Sequence, residues 1–227
     1  MEAASTRPSY GRLAIWTGFI VIITALNYYG RFSGAAKSGS SQMSLYSYST
    51  FVGGLILYLI WLGVIVLVAF GRFDLFALRP PKNWGPALGL AAGVIVAIFV
   101  VEALVSKLPL PQSPGKEQGI TTVDWEPQHA GAFAANVVLF AVIAPFVEEM
   151  TFRGIGQSLL RFLGSAPSIL LVGVAFGLTH GLLEALLVLV PFGIGLAWLR
   201  DRTASVLPGM IVHALFNGLA LAAAVLT

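Results

Sequence analysis

The residues best equipped for chemistry sit in three short strings. Glu148-Glu149-Met150-Thr151-Phe152-Arg153-Gly154 sets two adjacent carboxylates and a guanidinium in a strongly apolar stretch. Phe176-Gly177-Leu178-Thr179-His180 and His213-Ala214-Leu215-Phe216-Asn217 follow. Ionisable groups inside a membrane span are costly and by default mark a functional site. On a helix, Glu149 and Arg153 are i,i+4 and share a face, so they are the natural ion pair. Pairing relieves two charges that would each be expensive alone in a low dielectric. Glu148 is rotated about 100° from that face and is left to point into a cavity, where desolvation makes a carboxylate a stronger base. Phe176 and His180, and His213 and Asn217, are also i,i+4 pairs. Peptide hydrolysis needs a base to activate water, a group to protonate the departing amine, and donors for the oxyanion. Glu148 suits the base. His180 suits the group that positions water and shares the proton, and His213 with Asn217 suit the oxyanion donors. Glu149 and Arg153 would brace the helix and set the local field.

Such strings need helices to carry them, and the composition offers little else. Of 227 residues, 57% are hydrophobic and 10% charged, with a mean hydropathy of +0.87, whereas soluble domains carry ~25% charged residues. The expectation is an all-α, polytopic transmembrane bundle forming one integral membrane domain over residues 1–227. Seven apolar runs are countable: Leu13–Tyr29, Phe51–Phe70, Pro86–Val105, Ala130–Val147, Pro167–Thr179, Leu182–Leu199 and Val206–Leu226. That gives about seven spans, six to eight allowing for boundary error. The fifth is short for a full crossing. The helical pattern continues past Val147, so one long helix is expected from about Ala132 to Leu163, bent near Pro145 and ended by Gly164 and Pro167. Residues 31–50 and 107–129 read as loops, and Trp84 reads as an interfacial anchor.

Counting along these helices at ~1.5 Å per residue sets Glu148, His180 and Asn217 about 20–24 Å from their cytoplasmic turns, with His213 one turn away, so the four can meet. The net charge of +3 needs no nucleic acid, because basic cytoplasmic loops account for it. With a cytoplasmic N-terminus and seven spans, that side receives Arg7, Arg12, Arg72, Arg79, Lys82, Arg153, Arg161, Arg200 and Arg202. The other receives Arg31, Lys37, Lys107 and Lys116, nine against four, as the positive-inside rule prefers. The absence of cysteine excludes disulfides, a thiolate nucleophile and a Cys-ligated metal. Arg7 and Arg12 before an apolar run resemble a signal sequence, but that run is long and no A-x-A site follows, so it reads as a retained first span.

Plainer readings stand beside the catalytic one. A buried Glu–Arg pair also serves as a structural clamp, a histidine in a span as a packing residue, and His-x-x-x-Asn as a helix–helix hydrogen-bonding pair. His129 falls in a loop and Glu102 near the interface, and Glu184 either pairs with His180 or faces water. Trp16, Trp61 and Trp198 read as packing or interfacial aromatics. A zincin would need His-Glu-x-x-His, which is absent. Gly-x-Ser-Gly is absent too, and the three aspartates, Asp74, Asp124 and Asp201, all miss the span centres. Two imidazoles and a carboxylate from His180, His213 and Glu148 can in principle bind zinc. A membrane scaffold or immunity-type protein that binds a peptide partner, and a transporter using Glu148 and His180 as a proton relay, are the alternatives from other classes; the lack of an internal repeat counts against the transporter.

The three motifs, in this order and spacing, resemble the CPBP family of intramembrane proteases, which includes the CAAX prenyl endopeptidases of the Ras-converting type and the bacterial Abi proteins. Trp198-Leu199-Arg200-Asp201-Arg202-Thr203-Ala204-Ser205, leading into the His213 motif, strengthens the resemblance. It covers a CPBP-like core at residues 130–220, preceded by three accessory spans over 1–105. It implies a metal-free glutamic endopeptidase with no cofactor. Glu148 and His180 would activate water, His213 and Asn217 would form the oxyanion hole, and Glu149, Arg153 and Phe176 would support them. The implied partners are the lipid bilayer and a peptide or protein substrate. The implied setting is a bacterial-type cytoplasmic membrane with the N-terminus cytoplasmic.

Overall fold

The computed structural model describes residues 9–33, 45–109 and 123–226. Arg7, Lys37, Lys116 and Glu117, and parts of the two long loops, lie outside them. The described residues form seven helices: α1 Tyr10–Phe32, α2 Tyr48–Ala69, α3 Trp84–Val105, α4 Pro127–Leu163, α5 Ser165–Thr179, α6 Leu186–Thr203 and α7 Leu207–Leu226. Five of them, α1 to α4 and α7, are long and apolar enough to cross a bilayer. The described residues are all-helical, and these spans mark an integral membrane protein. The fifth and sixth runs behave differently: α5 has only 15 residues, and α6 ends on Arg200, Asp201 and Arg202. α6 also starts four residues later than its apolar run, because Gly181 takes a left-handed φ of 67° and a turn precedes Leu186.

α4 is continuous through both carboxylates, as the pattern predicts, but it is not uniformly α. Two π-helical stretches, Leu139–Ile143 and Met150–Gly156, flank the short α-helical segment Ala144–Glu149. Its end at Gly164, with φ 94°, coincides with the predicted stop.

Contacts at the helix ends sort the loops into two sides. At one, Arg12 donates to the carbonyls of Val68 and Phe70, Arg79 to that of Ala204, and Arg161 pairs with Asp201. At the other, Tyr46 donates to the Asp124 carbonyl, and the Val123 N–H to that of Ala224. Arg153 belongs to neither: it is fully buried in mid-helix. Arg153 therefore drops out of the charges expected on the cytoplasmic side.

A polar ladder fastens α4 to α6. Arg153 and Gln157, one turn apart, donate to the carbonyls of Gly193 and Ala197, also one turn apart. Arg200 donates to Ser158, and the Arg161–Asp201 pair closes the ladder at the aqueous end. Glycine lets α5 approach α6: a Cβ on Gly193 would lie 2.7 Å from the Gly173 carbonyl oxygen. The N-terminal helices are tied to the motif helix as well. Trp16 donates to the Thr151 carbonyl at 3.0 Å, and Trp61 to the Thr151 hydroxyl at 2.8 Å. Both tryptophans pack, as expected, but each indole N–H also finds the partner that burial demands.

Candidate active site

The two adjacent carboxylates have separate environments. Glu149 is fully enclosed. Its Oε1 accepts from Arg153 Nη1 at 2.7 Å and from His213 Nδ1 at 3.0 Å. The Arg153 guanidinium also donates to Gly193 and lies 4.2 Å from the Phe176 ring centre. A carboxylate, a carbonyl and a π face thus replace the water this cation gave up. α7 makes room for the carboxylate with Gly209, where a Cβ would come within 2.9 Å of Glu149 Oε2.

Glu148 faces a cleft of about 740 Å³ between α1 and α2 that also takes in His180. Glu148 Oε1 accepts from the Tyr58 hydroxyl at 2.7 Å, and its Oε2 lies 3.8 Å from His213 Nε2. Tyr58 is the eleventh of the 22 residues of α2, which sets the carboxylate near the middle of a span. The rest of the cleft is mainly apolar, and Ile22, Leu26, Leu57 and Ile60 at its rim are exposed. Such a surface faces lipid.

His180 is the first residue beyond α5. Its Nδ1 lies 2.8 Å from the Phe176 carbonyl oxygen, which can only accept. Nδ1 therefore carries the proton, and Nε2 is left to exchange protons with whatever enters the cleft. Asn27 of α1 donates to the Thr179 carbonyl beside it. A Cβ at Gly181 would meet Asn27 atoms at 2.9–3.2 Å, so glycine permits this approach. The Phe176 ring is the hub of the cluster, edge-on to His180 at 4.7 Å and to His213 at 5.5 Å between centroids.

His213 and Asn217 sit behind this wall, outside the lining of the cleft. Asn217 Nδ2 donates to the Phe140 carbonyl at 2.8 Å, and the reason is local. In the π-turn the Ala144 N–H is taken by the Leu139 carbonyl. The next donor along would be residue 145, which is proline and has none. The Phe140 carbonyl is orphaned, and one hydrogen of the Asn217 amide satisfies it; the second remains for another acceptor.

Glu184 is exposed and His129 pairs with Glu126 at 2.7 Å, so neither joins the cluster. Among the described residues no group of three His, Asp or Glu side chains is disposed to hold a metal ion. Sequence reasoning missed Tyr58, Asn27 and the role of Thr151. The signal was a phenol and an amide within apolar runs, groups that must find partners once buried.

Residues 130–219 match the family model described as Rce1-like, type II CAAX prenyl endopeptidase. This segment is an Rce1-like CAAX-protease domain. The Rce1-like domain contains Glu148, Glu149, Arg153, His180, His213 and Asn217, and family membership points to an intramembrane peptidase. α1, α2 and α3 lie outside the matched segment. No curated protein and no solved structure matches the chain.

Proposed function

We propose that the protein is an intramembrane, metal-free glutamic endopeptidase that hydrolyses a peptide bond of a membrane-associated protein or peptide. The observation that carries this reading is the division of labour between the carboxylates. Glu149 is committed to Arg153 and His213, while Glu148 shares an accessible cleft with His180.

Glu148 takes a proton from water as the water oxygen attacks the scissile carbonyl carbon. His180 orients that water through Nε2. Oxyanion stabilisation falls to His213, held on Glu149 through Nδ1, and to the second N–H of Asn217. The proton held by Glu148 then passes to the amine nitrogen, the C–N bond breaks, and a carboxylic acid and an amine leave. Phe176 fixes both imidazole rings. The reading takes the chain as one domain over 1–227 with its catalytic core at 130–220. It has seven spans counting α5 and α6, in a bacterial-type cytoplasmic membrane with the N-terminus cytoplasmic. The excess of basic residues at the Arg12, Arg79 and Arg161 end supports that orientation.

Purified protein in liposomes, offered a library of membrane-inserted peptides, tests it. Wild type should cleave, and Glu148→Ala and His180→Ala should not. Cleavage lost to chelators and restored by zinc would refute the metal-free mechanism. Full complementation in cells by Glu148→Gln would favour a peptide-binding scaffold.

A further inference from the structure

We propose that Tyr58 is a positioning residue for Glu148, so that α2, outside the Rce1-like segment, completes the active site. Among the described residues the Tyr58 hydroxyl is the group within hydrogen-bond distance of this carboxylate. The direction of the bond follows from the chemistry: an ionised carboxylate only accepts, and a phenol near neutral pH keeps its proton to donate. Bonds from an O–H to a charged oxygen are about twice as strong as neutral ones.

The tyrosine is itself held in place. Its ring stacks on Trp61, with centroids 5.7 Å apart and planes inclined by 17°. Trp61 is anchored in turn on the Thr151 hydroxyl. Tyr58 and Trp61 are three residues apart on α2, and Glu148 and Thr151 are three apart on α4. The two contacts thus fix rotation and register of α2 against the motif helix together. The result is directional: Oε1 is held by the phenol of the cleft wall, and Oε2 is turned to the His213 side, 3.8 Å from its Nε2. Other hydroxyls of the bundle are satisfied on backbone carbonyls, as Ser158 and Thr179 are. Tyr58 instead bonds the one carboxylate that lines the cleft.

The kinetic part of this proposal rests on the peptidase reading; the chemical part does not. Dicyclohexylcarbodiimide reacts with protonated carboxyl groups in apolar surroundings and leaves an N-acylurea adduct, read by peptide mass spectrometry. Tyr58→Phe keeps the ring and its stacking and removes only the donor. With Oε1 no longer covered by the phenol, the Glu148 carboxyl is open to the reagent, and labelling should accelerate by about tenfold, the loss expected for one charge-assisted hydrogen bond. Glu148→Gln identifies the site by abolishing that adduct. In the cleavage assay, Tyr58→Phe should lower kcat by about tenfold with KM nearly unchanged. Equal labelling rates in wild type and Tyr58→Phe, or an unchanged kcat where the wild type cleaves, would overturn the proposal. A wild type that cleaves nothing, with labelling still accelerated by Tyr58→Phe, would sink the peptidase reading and leave the Tyr58–Glu148 coupling standing.

Discussion

Glu148 and Glu149 are neighbours in the chain, yet substitution should separate them cleanly. Glu149→Gln leaves the enclosed Arg153 cation without its counter-charge, and an uncompensated buried charge costs about 3–5 kcal/mol. Thermal unfolding in detergent should show a large drop, much of it recovered when Glu149→Leu is combined with Arg153→Met. Glu148→Gln keeps its volume and an oxygen that can still accept from Tyr58, so unfolding should barely move. Cleavage, in contrast, should fall by about 10²–10⁴, the worth of a general base. A Glu148→Gln protein that unfolds early would place this carboxylate among the braces. The Glu149–Arg153 pair was legible in the sequence because i,i+4 spacing is a local property of one helix. Tyr58 was not, because its contact spans 90 residues and depends on how α2 is rotated against α4, which α2, apolar nearly all round, does not encode.

The interruptions of α4 carry as much of the site as its regular turns. The sequence announced an irregularity through Pro145, but not its form. A proline predicts a missing donor, whereas the choice between a kink and a π-turn depends on what can satisfy the orphaned carbonyl. Here α7 supplies Asn217. Asn217→Ala should destabilise by about 1–3 kcal/mol, the penalty for an unpaired buried acceptor, and lower kcat as well. Pro145→Ala, which returns an N–H to the chain, should recover part of the stability and none of the rate. Full recovery of both would make Asn217 a cap alone. The α5–α6 seam gives a second test. Gly193→Ala drives a methyl against the Gly173 backbone, so a loss of about 1–3 kcal/mol is expected, together with displacement of the carbonyl that holds Arg153. Unfolding midpoints of the single variants check both.

Among the described residues, Arg12, Arg79 and Arg161 gather at one end of the bundle and Asp124 and Glu126 at the other, with the Glu148 cleft opening between α1 and α2 near mid-span. The seven-helix count was readable from hydropathy, and the i,i+4 spacing of Glu149 with Arg153 foretold their ion pair. The cleft was not, since it forms where two helices with nearly featureless apolar faces fail to close. The chain lacks cysteine, so single cysteines report sidedness without background. Lys82→Cys should react with an impermeant maleimide only from the cytoplasmic side and Trp125→Cys only from the opposite one; labelling of both from one side would break the seven-span topology. The central claim, that Glu148 hydrolyses peptide bonds, is tested most directly by comparing protein N-termini in the membranes of cells carrying wild type or Glu148→Gln at equal expression. The account predicts new N-termini, within or beside apolar segments, that are present with wild type and missing with Glu148→Gln. Identical sets of N-termini in cells where the wild-type protein is active in its physiological role would contradict it.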